Sequence, residues 1–209
     1  MPCCCKFICH GCQYANLLRE MTGKLQQKCV FCRCPTQLSK EEQLRYIQKR
    51  VEANDPVAMC YMGLVYRNEG DYKKAFGYWT EAVELGDMDA HYNLSLMYSH
   101  GEGVEKDDKK ELYHLEEAAI GGHVLARHNI GFFEESKRRP FRAIRHYIIA
   151  AKMGYDDSLG VLKEFAEEGM VSKEDLTSAI RGHQAAVDAT KSPQRETAAA
   201  IFSQQRQVV

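Results

Sequence analysis

With 209 residues, 44% of them hydrophobic and 27% charged, the chain can bury a sizeable core and fold into one or two domains. Its formal net charge of −1 excludes a whole-chain electrostatic attraction to nucleic acid or anionic lipid. No apolar run approaches the roughly 20 residues of a bilayer-crossing helix. The opening MPCCCKFICHGC also lacks a secretory h-region and cleavage site, so the cytosol or nucleus is expected.

Eight of the nine cysteines fall between Cys3 and Cys34, and the other is Cys60. In a reducing compartment, paired Cys-x-x-Cys spacing points to zinc rather than disulfides, because a tight knuckle aims two thiolates at one metal. The pairs are Cys9/Cys12 and Cys29/Cys32, preceded by Cys3-Cys4-Cys5. Spacing alone permits one site made from both knuckles, as in a zinc ribbon. The order Pro-Cys-Cys, turn, Cys-x-x-Cys, a helix-compatible spacer from Tyr14 to Met21, then Cys-x-x-Cys-Arg resembles the later three quarters of an all-cysteine RING finger. That resemblance, over residues 1–38, implies that Cys3 and Cys4 share a zinc with Cys29 and Cys32. It implies a second site in which Cys9 and Cys12 need a ligand pair from upstream of Met1. It also sets Arg33 where RING ubiquitin ligases carry a basic residue bridging conjugating enzyme and ubiquitin, although Val30 replaces a proline common between the last two ligands.

Residues 39–54 read as a linking helix that caps the segment after it. Ser39 and Glu42 have capping-box spacing, Leu44, Ile47 and Val51 form one apolar stripe, and Lys49 and Arg50 suit a helix C-terminus.

From residue 55 to 189 one layout recurs: helix, loop, second helix, glycine stop. Ala58, Ala90 and Ala126 open successive first helices, 32 and 36 residues apart, and Gly86, Gly122 and Gly154 close the units. The four additional residues of the middle unit sit in its Gly101-Glu102-Gly103-Val104 loop. A period in this range predicts an all-α solenoid of helical hairpins. Ala82, Ala118 and Ala150 allow close helix approach, and Trp79, Leu115 and Tyr147, three residues earlier, fill the space between hairpins. Gly86, Gly122 and Gly154 stand where a helix end wants a left-handed residue.

The middle unit, with Ala90, Tyr92, Leu94, Met97-Tyr98, Gly101-x-Gly103-Val104, Asp107 and Ala118-Ala119-x-Gly121 to His123, resembles the Sel-1-like repeats, relatives of tetratricopeptide repeats. Departures are Ser95 for a glycine, Glu111 for an alanine, Glu134 where Tyr66 and Tyr98 stand in the earlier units, and Ser136-Lys137-Arg138-Arg139-Pro140 for the Gly-x-Gly loop. The resemblance implies an adaptor that grips a protein or peptide on its concave face. Candidate contacts on the first helices are Tyr61, Tyr92, Asn93, Arg127, His128 and Asn129, with Asn93 and Asn129 also suited to a hydrogen bond repeated between units.

No catalytic motif is visible. His114, Glu116, Glu117, His123 and His128 lack the His-Glu-x-x-His face of a hydrolytic metal site; His114 is expected on a helix surface and His123 in a Gly-Gly-His turn. The run Lys137-Arg138-Arg139 is short, ends at Pro140 and has no aromatic interleaving, so nucleic-acid contact is not expected. Cys60 reads as a small core residue. Residues 190–209, with a Ser-Pro break, read as disordered or a frayed helix. The function expected is a protein-interaction scaffold with zinc at its start; the alternative is a ubiquitin ligase that engages a conjugating enzyme through the finger.

Overall fold

The computed structural model describes residues 39–191 and 197. Cys3, Cys4, Cys9, Cys12, Cys29, Cys32 and Arg33, and most of the tail from 190, lie outside the described residues. Residues Gly63–Thr190 form one compact unit, and the described residues before Gly63 belong to another.

Helix α1, Lys40–Glu52, begins with the expected capping box: Glu42 N–H donates to Ser39 Oγ at 3.2 Å, and Ser39 N–H donates to the Glu42 carboxylate at 2.9 Å. Ile47 is buried, with Leu44 and Val51 half-buried beside it on the stripe. Arg50 does more than face the helix end. Its Nε donates to Asp55 Oδ2 at 3.0 Å, while Asp55 Oδ1 accepts from Val57 N–H at 3.1 Å and caps the next helix.

Beyond α1 the helices are α2 (Pro56–Asn68), α3 (Tyr72–Glu84), α4 (Met88–His100), α5 (Asp108–Ile120), α6 (Val124–Ser136), α7 (Pro140–Lys152), α8 (Asp156–Glu167) and α9 (Lys173–Ala189). No strand occurs among the described residues. The described residues form an all-α solenoid of helical hairpins, the Sel-1-like, tetratricopeptide-like layout expected. Short polar caps start the helices. Asp71, Asp87 and Asp107 accept from the backbone N–H groups of Lys74, Ala90 and Lys110, at 3.1, 2.7 and 3.1 Å. Gly86, Gly122 and Gly154 have φ of +83°, +88° and +92°, the left-handed stops expected at these positions.

Each hairpin closes on one large residue of its second helix. Trp79, Leu115 and Tyr147 are buried, as are Ala82, Ala118 and Ala150 one turn on. The first-helix residue opposite Trp79 is Gly63, and opposite Tyr147 is Gly131. A Cβ there would stand 2.3 Å from Trp79 Nε1 and 2.6 Å from Tyr147 Cε1. In the middle hairpin the corresponding first-helix position is Ser95, buried, with its Oγ donating to Tyr92 O at 2.6 Å, and the corresponding large residue is the smaller Leu115. The bulk lost from the ring is regained on the facing helix, which keeps the pair close-packed.

Neighbouring repeats are pinned through the Gly-x-Gly loop. Arg67 at the end of α2 donates from Nε and Nη2 to the two oxygens of Glu102, at 2.8 and 3.1 Å. That guanidinium holds the Glu102 carboxyl below its usual range. Gly103 comes so near the start of α3 that a Cβ would lie 2.4 Å from Tyr72 Cβ. Arg67→Met leaves Glu102 half-buried without its bidentate partner, so it is expected to lower the unfolding free energy by about 1–2 kcal/mol. Urea denaturation checks this; an unchanged midpoint would mean the loop is held by packing alone.

The last hairpin, the weakest in sequence, is well formed. Ser158 takes the place of the opening alanine and is buried, as are Leu162, Phe165 and Ala179, in one core with Tyr147 and Ala151. Helix α9 packs on α7 as well as on α8, and so closes the far side of the third hairpin.

Candidate interaction surface

Most of the first-helix residues expected to contact a partner are used within the fold. Asn93 is buried, and its Nδ2 donates to Asp89 O at 2.7 Å, four residues back. Tyr92 is half-buried and stacks on His123 with centroids 4.3 Å apart; Asn129 Nδ2 reaches its hydroxyl at 3.5 Å, linking α6 to α4. Arg127 Nη2 donates to Ala119 O at 3.0 Å, and His128 Nδ1 lies 2.8 Å from Ser158 Oγ, linking α6 to α8. Tyr61 is half-buried. Tyr92, Arg127, His128 and Asn129 tie hairpin to hairpin, whereas the Asn93 amide bonds within its own helix.

The outward side chains of the first helices in this unit are of another kind. On α6, Leu125, Asn129 and Phe132 recur at spacings of four and three and share one face. Phe132 is 66% exposed and Leu125 is also exposed. On α4 the equivalent positions hold Asp89, the buried Asn93 and the half-buried Leu96, and on α8 Asp157, the half-buried Val161 and Glu164. Phe132 and Leu125 are not among the contacts expected from the sequence. The signal available was their place outside the alanine–leucine–glycine pattern: a large apolar residue there has no partner in its own hairpin.

The second helices carry a further recurrence. Tyr66 stacks on Tyr78 at 5.4 Å and 9°, and Tyr98 stacks on His114 at 5.7 Å and 9°, the same contact one repeat on. In the third repeat these positions hold Glu134 and His146. His114 is not on the helix surface, as expected, but half-buried against His91, with Nδ1···Nδ1 3.0 Å. Desolvation, then the nearby His91 and Lys110 charges, push the His114 imidazole down to about 4. One of the two rings donates and the other accepts, so the accepting ring is neutral and the two cannot both be protonated at Nδ1. His123 is both turn and cap: Nδ1 accepts from Ala126 N–H at 3.1 Å at the start of α6. Cys60 is buried, as expected of a core residue. Among the described residues no three His, Cys, Asp or Glu side chains converge as metal ligands. No helix among them is long and apolar enough to cross a membrane.

The Sel1 repeat family model matches residues 56–87, 89–123 and 135–155. Those three segments are similar to Sel1 repeats. The third match begins at residue 135, although the hairpin starts at Val124, so most of its first helix lies outside the match while keeping the helical geometry. Among curated proteins, the DAP3-binding cell death enhancer 1 of Mus musculus is 23% identical over 79% of this chain and 40% of its own length. The Rattus norvegicus protein of that name is 22% identical over 81% and 41%. The Drosophila melanogaster cytochrome c oxidase assembly factor 7 homolog is 37% identical over 34% of this chain and 27% of its own. The chain thus spans about two fifths of the length of the first two relatives. A Sel1 repeat protein from Oxalobacter formigenes superposes with TM-score 0.62 at 20% identity, covering 85% of this chain and 71% of its own. A protective antigen of uropathogenic Escherichia coli gives 0.56 at 20%, covering 79% and 36%. These likenesses establish the Sel1 fold.

Proposed function

We propose that the protein is an interaction scaffold whose Sel1 repeats hold a protein partner along the first-helix face of α4, α6 and α8. The observation that supports this most directly is Phe132 standing 66% exposed beside Leu125 on a repeat frame tied together by hydrogen bonds between its hairpins. A large exposed aromatic on a helix locked at both neighbours is pre-organised, so little side-chain entropy is lost when a partner covers it. The relatives are consistent with this use, since one is named for binding another protein. The test compares proteins captured by the full chain and by Phe132→Glu. A scaffold working through this face loses its main partner on that substitution with its helicity unchanged; an identical set of captured proteins would refute the assignment.

The Cys-x-x-Cys spacing supports a second feature, bound zinc, and the resemblance to a RING finger implies Cys3, Cys4, Cys29 and Cys32 as one site, with Cys9 and Cys12 in a further site. Metal analysis of the purified chain is expected to find at least one zinc, removed in the Cys29→Ser/Cys32→Ser variant with the solenoid still helical. Loss of overall helicity in that variant would contradict independent modules. Ligase action is the second functional reading, resting on the RING-like order and on Arg33; autoubiquitination abolished by Arg33→Ala would favour it over a scaffold alone.

A further inference from the structure

The outward face of α7 differs in kind from those of its counterparts α3 and α5. The basic run that begins at Lys137 does not stop at Pro140. Phe141, Arg142, Arg145, Ile149 and Lys152 are all exposed and fall within about a third of a turn of the helix, opposite the buried Ala143, Ile144, Tyr147, Ala150 and Ala151. Phe141 is 68% exposed, and Met153 extends the apolar edge. No acidic residue occurs anywhere on α7, whereas α3 offsets Lys73 and Lys74 with Glu81 and Glu84, and α5 offsets Lys109 and Lys110 with Glu116. Arg138 and Arg145 form no ion pair among the described residues. Behind them the buried Glu134 accepts from Arg139 Nη1 at 3.4 Å and lies 4.0 Å from Arg142 Nη1, which orients those two guanidinium groups.

The arginines are kept at a local cost. The first repeat turns from α2 into α3 through Gly70-Asp71, with glycine at φ +81° and aspartate capping α3. The third repeat has Arg138-Arg139 at the same two positions. Arg138 takes φ +59°, a left-handed conformation a non-glycine residue adopts only with strain, and Arg139 gives α7 no side-chain cap. A cation at a helix N-terminus also opposes the helix dipole. Arg139 is offset by its pair with the buried Glu134, whereas the left-handed Arg138 forms no ion pair among the described residues that would offset its strain, which points to a ligand.

We propose that this α7 face docks an acidic amphipathic segment of a protein partner, with carboxylates on Arg138, Arg142 and Arg145 and apolar side chains on Phe141 and Ile149. Arginine suits carboxylate because its planar fork donates two parallel hydrogen bonds. The stripe from Phe141 to Lys152 is about 17 Å long and one helix wide, which matches about three turns of a helical segment. That narrowness disfavours a bilayer or a nucleic acid. A broad anionic surface would meet Glu81, Glu84 and Glu116 on the equivalent faces of the preceding repeats.

Fluorescence anisotropy on the full chain tests the proposal. The probe is a labelled helical peptide of about 14 residues with Asp and Glu on one side and Leu and Phe on the other. Controls are its Asn/Gln counterpart, phosphatidylserine-containing vesicles and a single-stranded RNA. Saturable, salt-sensitive binding of the acidic peptide is expected, with little binding of the controls. Arg138→Gly/Arg145→Glu should weaken it by about tenfold or more. Arg138→Gly alone should raise the urea midpoint while lowering affinity, separating loss of the site from loss of the fold. No saturable binding, an affinity unchanged in the double variant, or tighter binding to vesicles or RNA would overturn the assignment. The first-helix face is a different surface, so such a failure leaves the Phe132 reading intact.

Discussion

Gly63→Ala is expected to cost about 2–4 kcal/mol of unfolding free energy, and Gly131→Ala a similar amount. Alanine is ordinarily the better helix residue by about 1 kcal/mol, so propensity argues for the opposite sign. Sterics decides. The added methyl of residue 63 would meet three atoms of the Trp79 indole at 2.3, 2.6 and 2.7 Å, and Trp79 is fully buried. Residue 131 faces the buried Tyr147 ring at 2.6–2.9 Å in the same way. Neither ring is a flexible chain end that can swing aside, so the helices must separate or the ring must leave its rotamer. Gly77→Ala and Gly160→Ala are the internal controls. Both lie within helices, nothing stands within 4 Å of the added methyl, and each is expected to stabilise by about 0.5–1 kcal/mol. Trp79 is the only tryptophan, so its fluorescence in a urea titration reads all four variants. Equal effects at Gly63 and Gly77 would contradict the close approach.

The second large effect is acid lability well above the carboxylate range. His91, His114, His123, His128 and His146 are all held below the ordinary imidazole value, burial being the first cause in each. Carboxylates near four of them oppose the shift without reversing it: Glu117 for His91, Asp89 for His123, Asp157 and Glu135 for His128, Glu134 for His146. The sign is set by proton binding. As pH falls below about 6.5 the unfolded chain takes up protons that the folded chain refuses, so stability present above that value is lost on the way down to the folded values, about 4 for His114. Each unmatched proton is worth about 1.4 kcal/mol per pH unit. His114 alone therefore removes up to about 2 kcal/mol between about pH 6.5 and 4.5 after solvent screening, and the other four rings act in the same direction. Such a loss is a large share of a typical domain's stability. His114→Tyr places at this position the residue the first repeat carries at Tyr78. It should keep the stack on Tyr98 and flatten the stability–pH curve by up to one proton's slope. Unfolding free energies measured from pH 7.5 to 4.5 check both statements; a flat wild-type curve would contradict the buried neutral rings.

How much of the molecule was legible in the sequence varies with the physics involved. The helix pairs, their glycine stops and the Trp79, Leu115 and Tyr147 anchors were readable because each is a local pattern repeated at a fixed interval. The exchange of Gly63 and Gly131 for Ser95 opposite the smaller Leu115 was visible only as a departure from pattern, since its reason lies on the facing helix. The functional surface was less legible. Tyr92, Arg127 and His128 stand out in sequence, and the fold uses them as joints between repeats, while the recurrent Asn93 bonds back to Asp89 O in its own helix. Phe132 and Leu125 recur nowhere and so gave no periodic signal. His114 looked like a surface residue, since its burial depends on His91, which lies 23 residues earlier in the preceding helix. The basic stripe of α7 is contiguous in the sequence, but its uniform exposure and its lack of acids are apparent only against the equivalent faces of α3 and α5.

The central claim is that a row of outward side chains on the first helices, held by the inter-repeat joints behind it, does this protein's work by contact. The most direct measurement places a photo-cross-linking residue at position 132 and, as a control, at position 73 on the outward side of α3, in otherwise unaltered chains. The account predicts one discrete cross-linked protein at position 132 that is absent at position 73 and is competed away by unlabelled wild-type chain but not by Phe132→Glu. Cross-linking of the same strength at both positions, or competition by Phe132→Glu equal to that of wild type, would contradict it.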